Sequence, residues 1–332
     1  MKLLYFTDTH IRGNNPKNRK DEFSETLKNK LLEIVDISKK ENIDFILHGG
    51  DLFDRPDVSI GIVSEFASIF NKFKSPIYIV SGNHDIFGHN QKTLNRTMLG
   101  LLSNLGVFKL VEDKPIILEK NNIKLQLTGN PYTFSMEEDF NKDNYKVLEK
   151  NKDVDYSIHM VHGFLLDKPF LKEVPHTLVS EIYDTNADIT LSGHYHLGFK
   201  TIEHEGKYFI NPGSMVRISN SLSEMQRKPK VIIIELDSKI NIKEVYLNSA
   251  LPGEDVLDRQ EMERHKFKRS KIYEFKEIID STTDLSSLDV FDLLIQISKN
   301  DSIPEDVRDE AVRRIQEVQI KGADYSWYLL LK

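Results

Sequence analysis

Leu3-Leu4-Tyr5-Phe6-Thr7-Asp8-Thr9-His10 sets four large apolar residues in a row before an Asp and a His two positions apart. A short continuous apolar run of this kind fits a strand buried on both faces, and it delivers Asp8 and His10 just past its end. The arrangement recurs along the chain. Residues 43–47 lead into Gly49-Gly50-Asp51, 76–80 into Gly82-Asn83-His84-Asp85, 156–161 into His162-Gly163, and 187–191 into Gly193-His194-Tyr195-His196. Between the first three runs lie two amphipathic stretches. Phe23, Leu27, Leu31, Ile34 and Val35 predict a helix over 21–41, and Ile62, Phe66, Ile69, Phe70 and Phe73 mark a second. Alternating strands and helices predict an α/β sheet. Such sheets place their sites in the crevice at the strands' C-terminal ends, where all five polar blocks fall.

The middle of the chain is richer in strands. Residues 116–118 and 123–127 read as a hairpin, 199–203 and 207–210 flank a Glu205-Gly206 turn, and 231–236 with 242–247 form a last hairpin. Two α/β halves facing each other through their sheets fit this order. After Ala250, Leu251-Pro252-Gly253 reads as a linker. The remainder is charged and helical, with Leu288, Phe291, Leu294 and Ile295 on one face. Ser302, Pro304 and Glu305 then give a capping box ahead of Val307, Ala311, Ile315 and Val318. Two domains are expected, 1–250 and a mostly helical 251–332.

Composition narrows the chemistry. The 332 residues include no cysteine, which excludes disulfides, thiolate metal sites and a cysteine nucleophile. Any metal is held by His, Asp, Glu or Asn, a donor set suited to manganese or magnesium. No run approaches the roughly 20 apolar residues of a membrane span, and the apolar start is too short for a signal peptide. The expectation is a soluble protein of the cytoplasm, or of a host's cytoplasm if phage-encoded, with no membrane partner. The net charge of −7 argues against coating nucleic acid by bulk charge.

Five of the 11 histidines fall in the polar blocks. A lone buried His is usually a hydrogen-bonded core residue; five in this pattern, beside Asp8, Asp51 and Asn83, point to metal ligation. Asp8, His10, Asp51 and His196 are expected on one ion, and Asp51, Asn83, His162 and His194 on a second, with Asp51 bridging. Two divalent ions about 3.5–4 Å apart clamp a phosphate and lower the pKa of a shared water from about 15.7 toward 7. Hydroxide then attacks phosphorus in line, and no protein nucleophile is needed. His84 is left over as general acid or transition-state stabiliser. Asp85 either orients His84 or caps the following turn.

These five blocks resemble those of the calcineurin-like metallophosphoesterases over about residues 1–250. Gly50-Asp51-Leu52-Phe53-Asp54 and Gly82-Asn83-His84-Asp85, with Arg19 and Asp21–Phe23 opening the first helix, are similar to the SbcD/Mre family of double-strand-break repair nucleases, bacterial and phage members above all. The resemblance implies a four-layer α/β/β/α sandwich with a small C-terminal helical extension that caps DNA or binds a partner. It also implies two divalent ions, manganese first and magnesium second, and exo- and endonuclease activity on DNA. An SbcC-like SMC-family ATPase subunit and a homodimer come with it. Arg12, Arg19 and His89 are the residues expected at the substrate. Many family members carry His where this chain has Asp54, so no role transfers to that position.

The remaining motifs have plainer readings. His48 and His159 read as packing or support, and Asn211-Pro212-Gly213-Ser214 as a turn supporting the site. Leu94, Met98, Leu99 and Leu102 form a stripe open to core or to a second copy. The alternative function is a phosphoesterase acting on a nucleotide or another small ester. Protein phosphatases read Gly-Asn-His-Glu where this chain has Asp85, and Gly where it has Pro56. A non-catalytic scaffold typically loses ligands, and none is lost here.

Overall fold

The computed structural model describes residues 1–258, apart from 113, 134–135, 137–141 and 172–173, and beyond them Glu310 and Arg313. Two compact units are present, Met1–Asp258 and Arg259–Lys332, and only the first is described in detail. The expected helices around Leu288–Ile295 and 302–318 lie outside the described residues, apart from Glu310 and Arg313.

β1 (Lys2–Phe6), β2 (Phe45–His48), β3 (Ile77–Ile79) and β4 (Lys109–Leu110) run parallel, each paired with the next. β13 (Lys230–Leu236) adds antiparallel to β1, and β14 (Ile240–Tyr246) to β13. The continuous apolar runs explain why this sheet is covered on both faces. Leu4, Phe6, Ile46 and Ile79 point to one core, and Leu3, Tyr5, Leu47 and Tyr78 to another. The first core is closed by α1 (Phe23–Lys40), α2 (Ile60–Phe70) and α3 (Met98–Asn104). Phe23, Leu27, Leu31 and Ile34 of α1 are buried at a spacing of three or four. Each such side chain taken from water contributes about 1.5–3 kcal/mol.

The second sheet is also mixed. β5 (Ile116–Lys120) and β6 (Ile123–Asn130) form the expected hairpin, turned by Asn121 and Asn122 at positive φ. β7 (Tyr156–Gly163) and β10 (Ile189–His194) run parallel to β6, β12 (Lys207–Ile210) parallel to β10, and β11 (Ile202–His204) pairs antiparallel with β12. Leu125, Ile158, Met160 and Leu191 meet the first sheet in the shared core. The α/β fold with two packed mixed sheets is thus the one expected. Among the described residues, the second sheet's outer face is covered by 3-10 turns at Lys142–Tyr145 and Val179–Glu181 and by irregular chain. β8 (Leu165–Leu166) and β9 (Thr177–Leu178) pair beside it.

Two short helices complete the unit, α4 (Leu222–Gln226) and α5 (Gly253–Val256). The chain after Ala250 first returns to the loop before α1: Lys20 N donates to Val256 O at 2.9 Å, and Asp258 N to Asn18 O at 2.8 Å. Leu94, Leu99 and Leu102 are buried in the helical core with Met98 packed against it, so the stripe is core. No helix among the described residues is long and apolar enough to cross a membrane.

Candidate metal centre

The loops after β1, β2 and β3 meet the ends of β7 and β10. Past β1 the chain stays hydrogen-bonded to the segment after β2, Asp8 N to Gly50 O and His10 N to Asp51 O, both at 3.0 Å. In the second sheet Gly193 lies opposite His162 in register. Asp8, His10, Asp51 and His194 all have positive φ, between 43° and 74°. Left-handed backbone is uncommon for non-glycine residues, and such strain collects at functional sites.

Asp8, His10, Asp51 and His196 bring ligand atoms within 4.8 Å of one another, and Asp51, His162 and His194 do the same. These are the two expected clusters, joined through Asp51. Asn83 joins the second, its Oδ1 3.2 Å from His162 Nε2. The residues fit a pair of cations. His10 Nε2 and His196 Nε2 face each other at 3.0 Å. Asp51 Oδ2, buried without a hydrogen-bond partner, lies 3.3 Å from His162 Nε2 and 3.6 Å from His10 Nε2. Among the residues around it, glycine leaves the room: a Cβ on Gly50 would stand 2.4 Å from His162 Nδ1, and one on Gly82 2.1 Å from Asp51 Oδ1.

The surroundings orient each ligand. His162 Nδ1 donates to Gly49 O at 2.7 Å, which leaves Nε2 as the metal-facing atom. Thr7 Oγ1 donates to Asp8 Oδ2 at 2.6 Å, and His194 N to Asp8 Oδ1 at 3.2 Å. Ser214 Oγ donates to Asp8 O at 2.8 Å and Ser214 N to His196 O at 2.9 Å. The Asn211–Ser214 turn therefore ties the two ligand loops together. Burial holds His10 well below the usual histidine range. Burial, with His162 nearby, takes His194 down to about 3. Burial opposes a charge on His162, but Asp51 and Asp8 outweigh it and hold that imidazole up at about 9. Burial would raise Asp51; His162, His10 and His84 together keep it well below the carboxylate range. Burial raises Asp8, against His162 and His196. Asp51 and Asp8 thus favour positive charge at His162.

The sequence profile of the calcineurin-like phosphoesterases matches residues 1–198. The chain belongs to that family. It is a metal-dependent phosphoesterase whose His/Asp clusters suit a pair of metal ions. Among curated proteins, it is 24% identical over 364 residues to the double-strand break repair protein MRE11 of Coprinopsis cinerea, across 86% of this chain and 48% of that one. Shorter matches at 31% identity join it to the Mre11 repair proteins of Thermoplasma acidophilum, over 87 residues (25% of this chain, 22% of that one), and of Methanococcus maripaludis, over 97 residues (28% and 25%). The chain spans about half the length of the first relative and about a quarter of the other two. A solved archaeal phosphodiesterase superposes with a TM-score of 0.38 at 16% identity, covering 74% of this chain and all of that one. A solved Thermus thermophilus protein gives 0.42 at 11%, covering 73% and 97%.

The remaining expected residues of this phosphoesterase divide. His84 stands beside the first cluster, its ring edge-on to His10 with centroids 4.8 Å apart. Its Nδ1 donates to Asp54 O at 2.8 Å, which fixes the ring's orientation. Asp85 does not orient it. The buried Asp85 carboxylate accepts backbone amides of Gly82 at 2.9 Å, Phe53 at 3.1 Å and Leu52 at 3.3 Å, so it ties its own turn to the loop after β2 and does not cap the turn that follows. Burial first, and Asp51 second, push that carboxyl up to about 7.

Arg19 is not placed for substrate. Its side chain is 2% exposed, paired through two nitrogens with Asp21 at 2.7 Å and donating to Arg217 O at 2.9 Å. It anchors the loop before α1. Arg12 sits at the rim, 3.2 Å from Asp54 Oδ1, in a cleft of about 450 Å³ with Arg55 and Ser59. His89 Nδ1 lies 3.1 Å from Tyr132 Oη, and the Tyr132 ring lies 5.9 Å from that of His194. His48 and His159 are core histidines, hydrogen-bonded to Thr9 and to Thr128 and Asn144. Tyr132 and Asp54 went unassigned in the sequence. Asp54 touches Arg12, and its Oδ1 stands 4.0 Å from the buried, unpartnered His10 Nδ1. Its place three residues after a bridging Asp was the available signal.

Proposed function

We propose that this chain hydrolyses phosphodiester bonds of DNA, with manganese as the preferred ion. The observation that carries the reading is the sharing of Asp51 between two complete ligand clusters with His84 at their margin. The Mre11 relatives support DNA as the substrate. When bound, the two ions supply Lewis-acid stabilisation of phosphate charge and a water made acidic near neutral pH. The chain does the rest. Gly49 O and Asp54 O fix the tautomers of His162 and His84. As the general acid, His84 donates from Nε2 to the leaving oxygen while Asp54 O holds Nδ1. Arg12, held by Asp54 at the rim, is assigned the flanking phosphate.

The test is digestion of end-labelled double-stranded DNA with manganese, alone and with an SMC-like ATPase subunit added, wild type beside His84→Ala. Laddered products with wild type, and their loss in the variant, are expected. Intact DNA in both arms, with rapid cleavage of a nitrophenyl phosphodiester, would replace DNA by a small ester as the substrate.

A further inference from the structure

The turn that ties the Asp8 and His196 loops together runs on into a segment, Ser214 to Arg217, whose carbonyls are held by buried cations. Its donors face the ligand loops. Ser214 N donates to His196 O at 2.9 Å, Ser214 Oγ to Asp8 O at 2.8 Å, and Met215 N to Asp8 O at 3.2 Å and Thr7 O at 3.1 Å. Its four consecutive carbonyls each accept from a charged side chain. Arg227 Nη1 donates to Ser214 O at 2.6 Å, and Lys30 Nζ to Met215 O at 2.8 Å. Arg227 Nη2 donates to Val216 O at 2.8 Å, and Arg19 Nη1 to Arg217 O at 2.9 Å. Arg217 joins the group, its Nε and Nη2 donating to Arg227 O at 3.0 and 2.6 Å. All four cationic side chains are largely buried. Among the described residues, the carboxylates set against them are Asp21 and Glu224. Buried charge is costly unless it is paired and hydrogen-bonded, so the carbonyls take up what two carboxylates leave.

We propose that Arg227 and Lys30 are positioning residues for the first metal ion, the one assigned to Asp8, His10, Asp51 and His196; this rests on the two-ion reading of the centre and not on DNA as the substrate. Two relays end on Asp8 O. In one, Arg227 polarises the peptide between Ser214 and Met215, whose N–H donates to Asp8 O. In the other, Lys30 polarises the peptide between Met215 and Val216. The Val216 N–H donates to Ser214 Oγ at 3.1 Å, and that hydroxyl donates on to Asp8 O. Hydrogen bonds in series strengthen one another where water is excluded. The pull meets a need at its far end. Asp8 has φ 54°, and a strained backbone persists only where its surroundings over-determine it. The same segment holds His196 O, so one strap sets the spacing of two ligands of the first ion. In the second cluster, His162 is oriented by Gly49 O instead. Loss of a relay therefore falls on one ion.

The experiment is manganese titration of the full chain followed by electron paramagnetic resonance, wild type beside Arg227→Met and Lys30→Met. Anomalous diffraction from manganese-soaked crystals names the affected ion. Wild type is expected to take two ions and give the spectrum of a spin-coupled pair. Each variant is expected to bind the first ion about tenfold or more weakly, the usual effect of removing a ligand's supporting partner, and the second as wild type does. At a manganese level that saturates wild type, the variants should then show the signal of an isolated ion. The weakened anomalous peak should lie among Asp8, His10 and His196. Arg227→Lys keeps the charge but not the fork that reaches two carbonyls, and is expected to recover part of the loss. If Arg227→Met fails to fold, Lys30→Met decides, because it removes a costly buried charge and should not loosen the fold. One ion or none in wild type would overturn the two-ion reading and take the proposal with it. Two ions in wild type, with a folded variant that binds both as tightly or weakens both equally, would overturn the positioning role of that residue alone.

Discussion

Gly82→Ala separates space from conformation at the bridging ligand. Gly82 has φ −94° and ψ −180°, extended backbone open to any residue. The substitution therefore carries no conformational strain. It does carry a clash: the new Cβ would lie 2.1 Å from Asp51 Oδ1, 2.5 Å from Asp51 N and 2.7 Å from Asp51 Cγ, against ordinary contact from 3.4 Å. Backbone atoms cannot swing aside as a side-chain tip can, so Asp51 N must shift by about 0.9 Å, the difference between 3.4 and 2.5. Overpacking of this kind costs about 1–3 kcal/mol, within the roughly 5–15 kcal/mol of a typical folded protein. The variant should fold with a lowered Tm. A misplacement of about 1 Å in a catalytic site can cost about 100-fold in rate, and here the displaced residue belongs to both clusters. The assay is manganese stoichiometry with bis(4-nitrophenyl) phosphate hydrolysis, expected to show fewer than two ions and a rate down about 100-fold. Gly61→Ala is the control: nothing lies within 4 Å of its Cβ on α2, and a helical Gly-to-Ala change should stabilise by about 0.5–1 kcal/mol. Full metal loading with an unchanged rate in Gly82→Ala would refute the close-approach argument.

Three further outcomes follow from the same geometry. His84→Ala should keep both ions yet lose about 100-fold or more on DNA and less on a nitrophenyl ester, whose leaving group needs no proton; equal losses would remove the general acid. Because burial and three arginines take Lys30 from 10.5 down to about 7, the unfolded chain holds the extra proton between pH 7 and 10.5. Wild-type stability should therefore rise through that window and gain nothing from this group below it. Lys30→Met, which loses only the 2.8 Å bond to Met215 O, should be more stable than wild type at pH 6, with the advantage shrinking toward pH 10. Urea midpoints against pH decide it, and parallel curves would contradict the burial argument. Since Asp51 and Asp8 hold His162 at about 9 against the pull of burial, manganese must displace a proton there. Affinity should rise from pH 6 to 9 with proton release in calorimetry, and binding independent of pH would contradict that.

Much of this was legible because apolar runs and polar blocks alternate so regularly. Leu3 to Phe6 carries no alternation, which is what a strand shared by two cores requires, and the ligands follow from strand ends. Other features had no periodic signal. α3 is a short helix of about two turns, whose apolar residues left a docking stripe open beside the core reading. Arg19 looked like a substrate contact because its partner Asp21, two residues on, reads in sequence as the start of a helix. Asp85 had two roles open and takes neither, since its carboxylate holds the Leu52 and Phe53 amides, more than thirty residues upstream.

The central claim is that two ions share Asp51. Anomalous diffraction from manganese-soaked crystals tests it most directly. Two peaks are predicted, one among Asp8, His10 and His196 and one among Asn83, His162 and His194, with Asp51 reaching both. A single peak at full manganese, or a pair that leaves Asp51 uncoordinated, would contradict the account.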